Sequence, residues 1–237
     1  LTTDSVTTIR QVMGKDMTRG SLPRALISFS VPLILSGLLQ QLYSWAAAFI
    51  VGNAQGEAAL AAIGATTSLF SLFTMLVTGF TSGVSILSAQ VYGKGERGAQ
   101  KKILFSFTLI LGGISLLLTL LCAPAARMLL SLLQTPTDII AQSAQYLGIV
   151  LMGLPFIAVY NVYSAVLRGM GDSKAPLLSV LVSSVLNIVL DIVMVYSLKM
   201  GVAGAAAATL ISQALMSIFI VLYARRYEAL RMRPSLP

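Results

Sequence analysis

A single carboxylate inside a long apolar run is the group in this chain best suited to chemistry. Asp191 lies in the stretch 176–196, which is long enough to cross a bilayer as one helix. Asn187 lies four residues earlier, on the same helical face. Because an acid is costly at membrane depth, it usually faces a bundle interior or a water-filled cavity. The pair predicts a site for a proton or a cation, and a structural hydrogen bond between helices is the alternative.

The composition is typical of a protein that crosses a membrane several times. Hydrophobic residues make up 57% of the 237 positions and charged residues only 10%, far below the ~25% of soluble domains. The Lys and Arg residues fall in short segments between apolar runs, so nucleic acid is not an expected partner. With no His and only Cys122, the sequence excludes metal or heme sites built on Cys and His, and catalytic triads that need His. We expect no enzyme activity and no cofactor.

The apolar runs and their breaks predict an all-α membrane protein with six transmembrane helices. The predicted spans cover about residues 24–50, 66–90, 103–123, 138–167, 176–196 and 202–224. Pro32 lies inside the first span, where its missing amide donor predicts a bend. The fourth span is predicted to be one helix that begins near Asp138 as a cap and runs past Pro155.

Two patterns of small residues predict close contacts between helices. Gly79 and Gly83 are one helical turn apart in the second span, and the sixth span begins with the run GVAGAAAA at 201–208. Small residues at this spacing allow helix backbones to approach each other in membranes.

The distribution of positive charge predicts the orientation. All of the 16 Lys and Arg residues except Arg127 and Lys199 lie near the termini or in the segments 91–102 and 168–175. Six spans put these regions on one side, which the positive-inside rule assigns to the cytoplasm. We therefore predict a multi-pass protein of the plasma (inner) membrane with both termini cytoplasmic. It would consist of an amino-terminal segment (1–23), a region of six membrane spans (24–224) and a carboxyl-terminal cytoplasmic segment (225–237).

Three polar side chains from three predicted helices share one depth in the outer half of the membrane. At 1.5 Å per residue, Asp191 lies roughly 7–8 Å from the outer end of its helix, Thr209 roughly 10 Å and Tyr146 roughly 12 Å. The shared layer is consistent with one site. Thr and Tyr also occur in membrane helices for packing or interfacial reasons, which is the alternative for these two residues.

Motifs along nearly the whole chain resemble the amino-terminal lobe of the multidrug and toxic compound extrusion (MATE) transporters of the MOP superfamily. Their order and their placement around six spans carry the resemblance. The motifs are QQLY (40–43) after Pro32, IVGNAQGEAALAAIG (50–64), AQVYGKGE (89–96), LRGMGDSKAP (167–176), NIVLD (187–191) and GVAGAAAATLISQ (201–213).

The resemblance implies two six-helix lobes around a central cavity, with cation binding driving efflux by alternating access. It further implies that Asp191, Asn187, Thr209 and Tyr146 match a polar cluster that binds a proton or sodium. A sodium ion would be held by the first three. The same resemblance matches Pro32 to a proline linked to bending of the first helix.

Two features depart from the family pattern. The family usually carries an Asp near the outer end of the first helix, where this sequence has Ala47. The chain also ends after one six-helix lobe (24–224), as expected for a fragment or for half of a two-part transporter, and the resemblance implies that 225–237 is the linker between lobes.

The expected function is cation-coupled efflux of small organic compounds, cationic or neutral, with the lipid bilayer and a second lobe as partners. Apart from Arg24 at the start of the first span, no Lys or Arg falls inside a predicted span. Basic cavities are expected in flippases of lipid-linked saccharides or other amphiphiles, which are the first alternative. The second alternative is a transport-inactive half that acts as a membrane interaction module.

Overall fold

The computed structural model describes residues 22–227 and Leu230, and in this part of the chain the regular structure is entirely helical. The elements are α1 (Leu22–Gln55), α2 (Glu57–Gly93), α3 (Arg97–Cys122), α4 (Ala126–Leu132), α5 (Ile140–Leu151), α6 (Leu154–Gly169), α7 (Lys174–Asp191), a π-helix (Ile192–Ser197) and α8 (Gly201–Ala224).

The predicted all-α membrane fold is confirmed. In the described residues five helices are long and apolar enough to cross a membrane: α1, α2, α3, α8 and α7 continued through the π-helix. Helices α5 and α6 pass the same test together and form a sixth span when counted as one, bent by 42°. The turn between α2 and α3 and the turn between α6 and α7 lie at the same end of the lobe. We call it the basic end, because most Lys and Arg of the described residues lie there. We call the other the opposite end.

The prediction of an unbroken fourth span is wrong. The helix ends at Leu151 and restarts at Leu154, and Pro155 occupies the first turn of α6. Proline has no amide hydrogen to continue the ladder but suits an early helical position, so the sequence favours a restart rather than a gentle bend. Asp138 does not cap α5, because the cap position is Ile139 and has no side-chain cap bond.

The connections at the opposite end also differ from the prediction. α1 and α2 are longer than expected and only Gly56 separates them, with a φ of 82° that favours glycine. The short helix α4, which the sequence did not predict, follows α3 after the turn at 123–125.

The core is centred on α6, which packs against α2, α3 and α8, while α7 lies between α1 and α8. Close approach occurs at Gly169 of α6, where a Cβ would lie 2.7 Å from Ser88 Cβ in α2. It occurs again at Gly204 in the predicted small-residue run, where a Cβ would lie 3.1 Å from the carbonyl oxygen of Met194. Gly79 and Gly83 have nothing within 4 Å of a Cβ in the described structure, so the contact predicted there is not present.

A buried polar network ties three helices together at the basic end. Gln100 of α3 donates to the backbone carbonyl of Ser88 in α2 at 2.6 Å, and the Ser88 hydroxyl donates to the Gln100 side-chain oxygen at 2.9 Å. The same hydroxyl lies 3.1 Å from the Val166 carbonyl of α6. Every member has a partner, which makes this network a source of stability.

A second polar contact at the basic end holds the segment that follows α8. One Asp172 oxygen accepts from the amides of Lys174 and Ala175 at 2.9 and 3.1 Å and so caps α7, while the other accepts from the Tyr227 hydroxyl at 2.6 Å. Leu230 is buried in the core. The first residues of the predicted linker 225–237 therefore pack on the lobe. Residues 231–237 lie outside the described part, as does most of the predicted segment 1–23.

Candidate functional site

Helix α7 places Asp191 and Asn187 on its buried face, with exposed fractions of 0% and 2%. Asp191 is the last residue of α7, and the π-helix begins directly after it. A π-helix adds a residue to each turn, and such turns often occur at functional sites because they reorient the side chains around them. The backbone geometry therefore changes directly after Asp191, which distinguishes this position from the rest of α7.

The polar atoms of this pair are not used in the folded lobe. Among the described residues, neither Asp191 oxygen and neither polar atom of the Asn187 amide has a hydrogen-bond partner. The buried hydroxyl of Ser184 is also unpaired there, and it shares their helical stripe. Sequence reasoning missed Ser184, although its spacing of three residues from Asn187 was available. Each unpaired buried polar group lowers the free energy of unfolding by about 1–3 kcal/mol. Stability alone therefore does not explain why these three polar side chains are buried without partners.

Tyr146 of α5 lies near this carboxylate, and Thr209 of α8 lies beside Tyr146. Both are half-buried, and α5 packs along α8. Tyr146 interacts with the Thr209 side chain and lies within electrostatic range of Asp191. The Thr209 hydroxyl donates to the Ala205 carbonyl at 3.0 Å, which leaves its oxygen free to accept. The structure therefore brings these three side chains together, and their role as cation ligands stays a prediction.

Helix α1 contributes a residue that sequence reasoning did not assign to the site. Tyr43 lies within electrostatic range of Asp191 and of Tyr160 in α6. Residue type and depth alone do not reveal which neighbour the side chain at position 43 meets. The packing of α1 against α7 decides this.

The methyl group of Ala47 marks where a second acid is expected in the family. Ala47 is half-buried in α1, about one turn before Ile50 and Val51, which pack against Val195 of the π-helix. The side of α1 that carries position 47 therefore turns toward the segment that follows Asp191. The site has one carboxylate on this seam and not two.

Pro32 lies within α1, which runs through it as one α-helix. The hydroxyl of Ser36 donates to the carbonyls of Pro32 and Leu33 at 2.8 and 3.0 Å, one turn further along the helix. The role of Pro32 in bending the helix stays a prediction.

The donor set at the site is hard and nearly neutral. It offers one carboxylate with amide and hydroxyl oxygens, and no group of three His, Cys, Asp or Glu side chains gathers anywhere in the described residues. Oxygen donors of this kind suit a proton or a hard cation better than a soft transition metal.

Comparison with known proteins identifies the family. The MatE family model matches residues 32–193. This chain belongs to the MATE family. The probable multidrug resistance proteins YpnP and YoeA of Bacillus subtilis are 30% and 34% identical to it, over 90% and 87% of this chain. These alignments cover 48% and 45% of the two relatives, so the chain spans about half the length of the curated relatives it matches.

Solved structures agree with the sequence relatives. An outward-facing MATE transporter of the MOP superfamily superposes with a TM-score of 0.85 at 27% identity, covering 94% of this chain and 49% of that one. An inward-facing MATE transporter superposes with a TM-score of 0.70 at 31% identity, covering 78% of this chain and 42% of the other. A MOP superfamily transporter from Pyrococcus furiosus gives 0.82 at 30% identity, over 93% of this chain and 49% of that one.

Proposed function

We propose that this lobe is the ion-coupled half of a multidrug efflux transporter that works by alternating access with a second six-helix lobe. The observation that carries the proposal is the fully buried carboxylate of Asp191, which has no hydrogen-bond partner among the described residues. Multidrug export is supported by the relatives, which are described as multidrug resistance or export proteins. Coupling to a proton or sodium rests on the site itself.

The proposed chemistry follows from the cost of a bare charge at this depth. Burial disfavours an ionised carboxylate, so Asp191 is expected to hold either a proton or a cation, and not both at full strength. Asn187 and Thr209 would supply neutral oxygens to a sodium ion, and Tyr146 would close the side toward α5. Binding or release would change the charge between α1 and α7, and thereby how these helices pack.

The exposed face of α2 is a candidate surface for a partner other than lipid. The exposed side chains Thr67, Ser71, Thr78 and Ser82 recur at helical spacing along it and form a polar stripe. Three of the four hydroxyls donate to carbonyls of their own helix, so the stripe is compatible with lipid and also with water or protein. A groove of about 530 Å³ opens beside them. It is lined by Ser68, Ser71, Leu72, Met75 and Leu76. This face suits a water-filled substrate cavity or the surface of the second lobe, which the half-length alignments also favour.

Alternating access is supported by the relatives that share this fold. One is described as outward-facing and another as inward-facing, and the present lobe superposes on both. Because both states contain a recognisable copy of this lobe, we infer that much of the movement takes place between lobes, as in other transporters built from repeats.

The experiment that tests the proposal is ion-driven efflux from vesicles that contain the complete transporter. A proton or sodium gradient is imposed separately, and export of a fluorescent cationic drug is followed. We expect Asp191→Asn to reduce gradient-driven export to background while the protein folds and inserts normally, since Asn keeps the size but cannot take up a proton or neutralise sodium. Wild-type coupling in this variant would refute the ion-coupled lobe, and gradient-driven lipid movement without drug export would favour a flippase.

Orientation is tested by cysteine labelling in intact cells, in a Cys122→Ser background. Cysteine at Lys174, at the basic end, is expected to be shielded from impermeant thiol reagents, and cysteine at Lys199 is expected to react. Reaction at position 174 from outside would reverse the proposed topology and the depth of the site.

A further inference from the structure

The break in the fourth span is held by contacts from other helices. Pro155 has no amide hydrogen, so the carbonyl of Leu151 loses the donor that a continuous helix would supply. The hydroxyl of Thr119, from α3, donates to this carbonyl at 2.8 Å. The amides of Met152 and Gly153 turn back to carbonyls three residues earlier, at 3.1 and 2.9 Å. The 42° bend between α5 and α6 is thus a built feature in which three backbone groups at the break have hydrogen-bond partners.

A glutamine from α8 enters the same break. Gln213 lies at the middle of α8 and is only 8% exposed, and its amide oxygen has no hydrogen-bond partner among the described residues. A Cβ at Gly153 would collide with this oxygen and would also lie 2.9 Å from the amide carbon. Only glycine leaves room for the amide, which therefore occupies the space that a side chain at the break would fill.

This contact lies on the same seam as the ion site. Gln213 is one turn after Thr209 in α8, and Gly153 is two turns after Tyr146 at the other end of the α5 segment. Two contacts that involve polar side chains therefore lie along the α5–α8 seam in the described residues: Tyr146 with Thr209, and the Gln213 amide against Gly153. A change in the angle of α5 at Gly153 must move Tyr146 relative to Thr209.

We propose that Gln213 is a positioning residue whose amide, seated against Gly153, sets the bend of the fourth span and thereby the distance between Tyr146 and Thr209 at the ion site. The part of the inference that concerns ion binding rests on the proposed function. The part that concerns the bend does not, and it has its own measurement.

The bend is measured by the distance between spin labels in the complete transporter. Nitroxides at Gln145 of α5 and Leu215 of α8, both exposed, report the separation across the seam. We expect Gln213→Ala to shift or broaden this distance distribution, and Gln213→Met, which keeps the length but removes the amide, to do the same. Ser212→Ala is the matched control, since Ser212 is buried beside Gln213 but bonds within its own helix at 2.8 Å. An unchanged distribution in both Gln213 variants would overturn the inference.

The link to the ion site is measured by the ion concentration that gives half-maximal efflux. We expect Gln213→Ala to change it by about tenfold with a smaller change in maximal rate, the scale usual for coupling between sites. If Gln213→Ala shifts the distance but the ion dependence stays at its wild-type value, the link to the ion site is refuted and the role of Gln213 in the bend still holds. Absence of ion-driven efflux in the wild type would instead refute the proposed function, and the distance measurement would still decide the bend.

A double-variant cycle separates a specific contact from general disturbance. Gly153→Ala should disturb the seam strongly, and adding Gln213→Ala should cause less further change than it does alone, because the collision with the amide is gone. Relief is expected to be partial, since the Val150 carbonyl also lies 3.0 Å from the added methyl. Gly148→Ala serves as the control, with only an ordinary contact at 3.5 Å. Additive effects at 153 and 213 would show that the two residues act independently, against the proposal.

Discussion

Two pairs of buried polar residues, one at each end of this lobe, differ in whether their side chains have partners. At the basic end, Gln100 and Asp172 use their side-chain oxygens in hydrogen bonds with neighbouring elements. Toward the opposite end, Asp191 and Asn187 are as deeply buried, yet their polar atoms have no partner among the described residues. Desolvation is costly in both places, and only the first group recovers that cost in the folded lobe. The comparison teaches that pairing, more than burial, distinguishes a structural polar residue from a candidate ligand.

The largest expected effect separates the two acids. Asp191→Asn should remove coupled transport and leave the melting temperature unchanged or higher, since a buried unpaired acid is replaced by a neutral amide. Asp172→Asn, the matched variant at the basic end, should leave transport per folded molecule near wild type. Vesicle efflux and thermal unfolding of the same preparations test both. Loss of stability in Asp191→Asn with loss of transport would mean that Asp191 is structural.

The next effect concerns the paired network. Gln100→Ala should lower the free energy of unfolding by about 3 kcal/mol, because it removes the two buried hydrogen bonds to Ser88 and opens a small cavity. The thermal midpoint should fall while the ion dependence of efflux stays at its wild-type value. A changed ion dependence would show that the basic end takes part in coupling and would remove the contrast between the ends.

A smaller effect is expected for the neutral partner of the unpaired acid. Asn187→Ala should raise the ion concentration for half-maximal efflux by about tenfold, equivalent to about 1.4 kcal/mol, because it removes one neutral ligand and keeps the charge. Ser179→Ala is the control on the same helix, since Ser179 is buried and bonded to the Ala175 carbonyl at 2.8 Å. Equal effects of the two variants would argue against Asn187 as a ligand.

The smallest effect concerns the contact that holds the segment after α8. Tyr227→Phe should cost about 1 kcal/mol of stability, since the lost bond to Asp172 is charge-assisted but partly open to solvent. Burial first, and then the bond to Asp172, raise the pKa of Tyr227 above its ordinary value. The contribution is therefore present at neutral pH and is lost as the pH rises above about 10. Thermal midpoints at pH 7 and 10.5 should differ more for the wild type than for the variant.

The sequence by itself determined the membrane fold, the spans and the polar residues of α7, because these depend on local properties. Apolar run length predicts a spanning helix, and a carboxylate at membrane depth stands out whatever surrounds it. The four-residue spacing of Asn187 and Asp191 likewise sets their common face without knowledge of any other helix. The count of depth along the helices pointed to Thr209 and Tyr146, and the family resemblance implied their role.

Only the tertiary structure decided which residues have partners and where helices touch. Gly79 and Gly83 have the spacing of a close contact and lack one, while Gly153 and Gly169, without that spacing, have no room for a Cβ. Ser184, Tyr43 and Gln213 acquired their interpretations in the same way. Contacts of this kind depend on the rotation and tilt of each helix, which arise from the simultaneous packing of many side chains. No local pattern specifies them. Pro155 favours a restart of the fourth span, but only the tertiary structure shows that the glutamine of another helix lies against Gly153.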